Sequence, residues 1–114
     1  HAAQIPIVMG SDSGCWPLFP QLFHGPSSLR EIELIAQTGI GPRGALRAAT
    51  INAATMIGIA DQLGTVEVGK RADLVVFNRN PIEDIAEVFR PSLIVKGGRA
   101  QSPQEWMNTA LPQR

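Results

Sequence analysis

Ile5-Pro6-Ile7-Val8-Met9-Gly10-Ser11-Asp12-Ser13-Gly14 is the stretch from which the rest of the chain can be read. Its first half is an unbroken apolar run rich in β-branched residues, the pattern of a strand buried on both faces. The run stops abruptly in a cluster of small residues around one carboxylate. An aspartate where a buried strand ends, ringed by residues that let other groups approach, is a candidate metal ligand or general base. The same letters also spell an ordinary turn, with Asp12 bonding nearby amides and the glycines supplying unusual dihedrals.

Composition narrows the classes. The chain has 114 residues, 44% of them hydrophobic, enough for one globular domain. Lysine plus arginine and aspartate plus glutamate both number 10, so the net charge is zero. That balance argues against electrostatic capture of nucleic acid or an anionic membrane. The single cysteine, Cys15, excludes an internal disulfide and a cysteine-rich zinc module. No apolar run is long enough to span a bilayer and no signal-peptide pattern opens the chain, which favours the cytoplasm. The first residues, His1-Ala2-Ala3, lack an initiator methionine, so the native N-terminus is expected elsewhere.

Downstream of the opening stretch, residues 15–26 form a loop with Trp16, Phe19, Phe23 and three prolines, a composition suited to covering a core or walling a pocket. His24 ends it. A histidine there either orients a substrate or bonds the loop backbone. Ser28 and Glu31 have capping-box spacing, and Leu29, Ile32, Ile35 and Ala36 make an apolar helical stripe that should end by Gly39. Pro42 suits the first turn of a second helix, and residues 52–59 suit a third. From Leu63 the pattern changes to short β elements: residues 64–68, residues 72–77, and Leu93-Ile94-Val95 before a Gly97-Gly98 hairpin turn. Residues 82–88 suit a helical turn.

Taken in order, Gly10-Ser11-Asp12-Ser13-Gly14, His24-Gly25, residues 44–54 (GALRAATINAA), residues 64–76 (GTVEVGKRADLVV) and Asn80-Pro81 resemble the C-terminal part of a metal-dependent amidohydrolase. The similarity runs from about Ile5 to Ala100 and is nearest to the imidazolonepropionase-like and Xaa-Pro-dipeptidase-like branch. The resemblance implies an α/β fold: the last strand and helices of a (β/α)8 amidohydrolase barrel, followed by part of a small β-sandwich. Residues 1–62 would be the barrel end, 63–101 the sandwich contribution, and 102–114 a tail. Ile5 to Met9 would be the eighth barrel strand and Asp12 would lie at its C-terminal end, where barrel enzymes assemble their sites.

The activity implied is hydrolysis of an amide or other C–N bond in a small, dipeptide-like substrate, through water activated by a divalent metal, expected to be zinc. Asp12 is the catalytic residue and candidate metal ligand; His24 is the candidate substrate-binding residue. The family's His-x-His pair, bridging group and later histidines have no counterpart here, and neither His1 nor His24 replaces them by spacing. The chain alone is therefore expected to be inactive and to hold no metal tightly. Lys70 and Asp73 are assigned to a sandwich turn, Asp73 bonding backbone and Lys70 solvated. The competing reading is a non-catalytic remnant that self-associates or binds a partner. A typical barrel needs roughly 250 residues, so the expected assembly is a homo-oligomer or a union with a missing N-terminal part. Neither nucleic acid nor membrane is an expected partner.

Overall fold

In the computed structural model, residues 5–14 and 23–110 are described. Three helices come first: α1 (Pro26–Ile35), α2 (Gly41–Ala49) and α3 (Ile51–Met56). A three-stranded antiparallel sheet follows, in spatial order β1 (Leu74–Phe77), β2 (Pro91–Lys96), β3 (Arg99–Gln101). A 3-10 turn over Ile85–Phe89 links the first two strands, and α4 (Pro103–Ala110) closes the described chain.

The apolar stripe read from the sequence is the core. Ile32 and Ile35 of α1 are buried against Ala45 and Ala48 of α2, whose methyl side chains let the two helices approach closely. Val88 of the 3-10 turn plugs into the same cluster, and Met9 packs at its edge. Glu87, beside Val88, is also buried, its carboxylate 3.0 Å from the Arg90 guanidinium. A buried carboxylate needs such a partner, because desolvation alone would be costly.

Two predicted helix details differ. The first helix begins at Pro26 with Gly25 as its N-cap and no side-chain cap bond, so the Ser28–Glu31 box is not used. Pro42 does sit in the first turn of α2, after a wide turn over Ala36–Ile40. The third helix stops at Met56, three residues short of the expected Ile59.

The largest departure concerns the opening stretch. Residues 5–12 form no strand, and among the described residues no strand lies beside them to complete a ladder. Ile5 is 70% exposed and Ile7 37%, whereas Val8 and Met9 are half-buried. The expected double burial is therefore not met in this chain.

The second half follows the prediction more closely. The sheet pairs Leu74 with Val95 and Lys96 with Arg99, and the β2–β3 turn falls at Gly97-Gly98. Residues 64–68, expected as a β element, are turns with Val66 and Val68 exposed. Gly64 instead seats this loop on α3. It has φ +98°, and a Cβ there would lie 2.9 Å from Ile51 Cα and 2.9 Å from Ala54 Cβ. The stretch read as a tail carries α4, whose Trp106 indole N–H donates to the Ile94 carbonyl at 3.4 Å. The α/β class holds; the described residues comprise helices and one small sheet.

Candidate active site

Asp12 sits where the apolar opening segment enters a turn at Ser13-Gly14. Its φ is +50°, a left-handed backbone that aspartate tolerates better than most side chains. The side chain is exposed. Around it the turn is bound together by hydroxyls. Ser13 Oγ lies 2.8 Å from Ser11 Oγ and 3.2 Å from the Phe23 carbonyl, and the Ser13 N–H donates to Ser11 Oγ at 3.4 Å.

The Phe23 contact brings the end of the aromatic loop back to this turn, and His24 comes with it. A Cβ placed on Gly14, where φ is +92°, would lie 3.0 Å from His24 Nε2 and 3.1 Å from Cε1. The imidazole therefore rests against the glycine two residues beyond Asp12. The two residues singled out from the sequence are thus brought to one turn, with His24 exposed as well. His1, Cys15, Trp16 and Phe19 lie outside the described residues.

Upstream, two bonds hold the opening segment onto the helices. The Met9 N–H donates to the Ala48 carbonyl at 3.1 Å, and Asn52 Nδ2 donates to the Ile7 carbonyl at 2.9 Å. The sequence places Asn52 at the start of the expected third helix and assigns it no role. Its signal was there: one amide side chain at the second position of a helix otherwise made of Ile, Ala, Thr and Met.

Lys70 and Asp73 lie apart from this turn and do structural work. Lys70 is not solvated as expected. Its ammonium donates to the Ala60 carbonyl at 2.8 Å and to Thr65 Oγ1 at 2.5 Å, tying the loop together. Asp73 accepts from the Gly97 N–H at 2.7 Å and from the Lys96 ammonium at 2.7 Å, with Arg71 at 3.1 Å. These partners, Lys96 first and the Gly97 amide next, hold its carboxyl below the usual range.

Among the described residues no group of three or more His, Cys, Asp or Glu side chains could hold a metal ion. Asp12 fits such a centre only as one hard oxygen donor. An open, largely apolar cavity of about 1200 Å³ runs between the helices and the sheet, lined by Met9, Leu29, Ile32, Leu46, Val76 and Phe77 among others. Neither Asp12 nor His24 lines it. No helix among the described residues is long and apolar enough to cross a membrane.

Comparison with known proteins gives these positions a context. The profile of the amidohydrolase family matches residues 1–100. Adenine deaminase 2 of Rhizobium johnstonii is 39% identical over 97 residues, 84% of this chain and 15% of that protein. Imidazolonepropionase of Geobacillus kaustophilus is 42% identical over 64 residues, 54% of this chain and 15% of that protein. The crystal structure of a putative prolidase from Bifidobacterium longum superposes with a TM-score of 0.73 at 37% identity, over 89% of this chain and 24% of the other. The chain thus spans about 15% of the length of the curated relatives it matches. With the profile covering nearly its whole length, the chain belongs to the amidohydrolase family.

Proposed function

We propose that these residues are the C-terminal portion of a metal-dependent amidohydrolase that hydrolyses an amide or other C–N bond in a small molecule. The observation that carries this reading is Asp12: an exposed carboxylate held on a left-handed turn at the end of an apolar segment, in a chain of this family. The relatives' names support the bond type, since a deaminase and a prolidase both break carbon–nitrogen bonds. In this reading residues 1–62 complete a barrel, and 63–101 contribute to a β-sandwich beside it.

Asp12 would supply one oxygen ligand to a divalent metal, zinc in this proposal, whose other ligands would come from outside these residues. When bound, the metal supplies Lewis acidity, polarising the scissile carbonyl and making a water acidic. Asp12 would accept a proton from the attacking water and return one to the leaving amine, which a carboxylate can do because it exchanges a proton between steps. His24, resting on Gly14, reaches the substrate beside the attacked bond. These residues alone, without the other ligands, are inactive and hold no metal tightly, since a catalytic zinc usually takes three protein ligands.

The test is turnover by the complete, zinc-loaded polypeptide that carries these residues, screened on Xaa-Pro dipeptides, other dipeptides and adenine. Asp12→Asn should keep the fold, seen by circular dichroism, and lower kcat by about 10²- to 10⁴-fold. Near-normal kcat with unchanged metal content would remove Asp12 from the mechanism. A second reading, a non-catalytic self-associating module, draws on the open apolar cavity between helices and sheet. A complete polypeptide inert on every substrate would favour it.

A further inference from the structure

We infer that Ser13 is a positioning residue for His24, holding the imidazole against the Asp12 turn through the Phe23 carbonyl. The inference rests on the proposed substrate role of His24 and deepens it. Ser13 Oγ lies 2.8 Å from Ser11 Oγ and 3.2 Å from the Phe23 carbonyl oxygen. A hydroxyl has one proton and two lone pairs, and a carbonyl can only accept. Meeting both contacts sends the Ser13 proton to Phe23 and the Ser11 proton to Ser13, while Ser11 Oγ accepts from the Ser13 N–H at 3.4 Å. The two hydroxyls thus aim their donors one way, from the Asp12 turn toward the backbone beside His24.

The same carbonyl has a second donor. The Ser27 N–H, in the first turn of α1, reaches it at 3.2 Å. One oxygen therefore ties the Asp12 turn, through Ser13, to α1, through Ser27. His24 is the next residue, followed by Gly25 at φ +87° and Pro26 at the helix start. Its ring rests on Gly14, where a Cβ would lie 3.0 Å from Nε2. Neither side of the junction depends on Ser13 for its own course. The helix α1 is anchored by Ile32 and Ile35 in the core, and the opening segment by the Met9 and Asn52 bonds. Without the Ser13 hydroxyl, His24 keeps its place on the helix and loses its register with the turn. A substrate group that His24 holds is then misplaced relative to Asp12, a loss that falls on binding more than on the chemical step.

The experiment uses the complete polypeptide, with Ser13→Ala to remove the hydroxyl, Ser13→Thr to keep it, and His24→Ala. On the best substrate of the screen, Ser13→Ala should raise KM about 3- to 10-fold, the size of one lost hydrogen bond, with kcat within about twofold. Ser13→Thr should recover most of that loss. In the double variant Ser13→Ala with His24→Ala, KM should be no higher than in His24→Ala, since Ser13 then has nothing to position. The Cε1–H NMR signal of His24, assigned by its loss in His24→Ala, should move in Ser13→Ala and return in Ser13→Thr. An unmoved signal or an unchanged KM in Ser13→Ala would overturn the inference, as would a KM rise that simply adds to that of His24→Ala. A wild type without turnover, or a normal KM in His24→Ala, defeats the functional reading instead. The NMR signal then decides by itself whether Ser13 places the imidazole.

Discussion

At Asp12 and Gly14 two left-handed residues sit within one short turn, and the chain tolerates each for a different reason. An aspartate adopts positive φ at moderate cost, and asparagine does so at least as readily, which makes Asp12→Asn a clean probe of charge. Gly14 has no such latitude. Its φ of +92° strains any side chain, and a Cβ would press on His24 at 3.0 Å. Gly14→Ala is therefore expected to cost about 1–3 kcal/mol of stability and to push the imidazole away, raising KM more than it lowers kcat. Thermal unfolding read beside steady-state kinetics would check this; a normal melting temperature with normal KM would mean that His24 does not depend on the glycine. Only part of this was legible from the letters. A carboxylate after an apolar run, and a histidine before Gly-Pro, could be picked out one by one. Their meeting depends on the Ser13 contact with the Phe23 carbonyl, ten positions away, and no local pattern encodes that.

The elements show why the same four-residue signature succeeds in one place and fails in another. Ser28–Glu31 and Ser102–Glu105 both have the spacing of a capping box. Only the second forms: the Ser102 N–H donates to Glu105 Oε2 at 2.7 Å, and the Glu105 N–H to Ser102 Oγ at 3.3 Å. In each helix a proline takes the first position and so makes the residue before it the cap, Gly25 in one case and Ser102 in the other. Reading the prolines first would have moved the start of α1 and revealed α4. Ser102→Ala should then cost about 1 kcal/mol, whereas Ser28→Ala should stay within about 0.5 kcal/mol; chemical denaturation of the two variants would separate them, and equal losses would refute the assignment. In the sheet, Asp73 fastens the β2–β3 turn through Gly97 and Lys96. Its folded-state pKa lies below the unfolded one, which is about 3.9, so its stabilisation is complete above that value and drains away as the pH falls through the folded pKa. Wild type should therefore melt above Asp73→Asn at neutral pH, and the gap should close in strong acid. A gap that persists there would point to shape, not charge. The Gly-Lys-Arg-Ala-Asp-Leu block was legible as structural. The tethering of Lys70 was not, because its acceptors, Ala60 and Thr65, are set by the loop's own fold.

On the scale of the whole molecule, the described residues leave many large apolar side chains exposed. The helix layer and the sheet leave between them a cavity of about 1200 Å³, reached by side chains from both. On its rim, Val75 and Val76 of β1 are 53% and 43% exposed, and among the described residues β1 is an edge of the sheet with unpaired backbone on one side. Such an edge is a template for another strand. Ile5 and Ile7 add a second exposed run where a barrel strand was anticipated. Their apolarity suits burial on both faces, and burial depends on neighbours that the described residues do not supply. A patch of this kind on a lone chain draws a partner. The 114-residue chain by itself is therefore expected to self-associate, one copy's edge strand and cavity covering the other's. Light scattering across a dilution series should give a mass that climbs with concentration, and Val75→Lys, which puts a charge on the exposed edge, should shift the series toward monomer. Hydrogen exchange adds the local check, with the Ile7 and Val8 amides slowing as the chains associate. A concentration-independent monomer whose Ile7 and Val8 amides are already protected would defeat the idea, and the cover for the opening segment would then have to come from within the same chain.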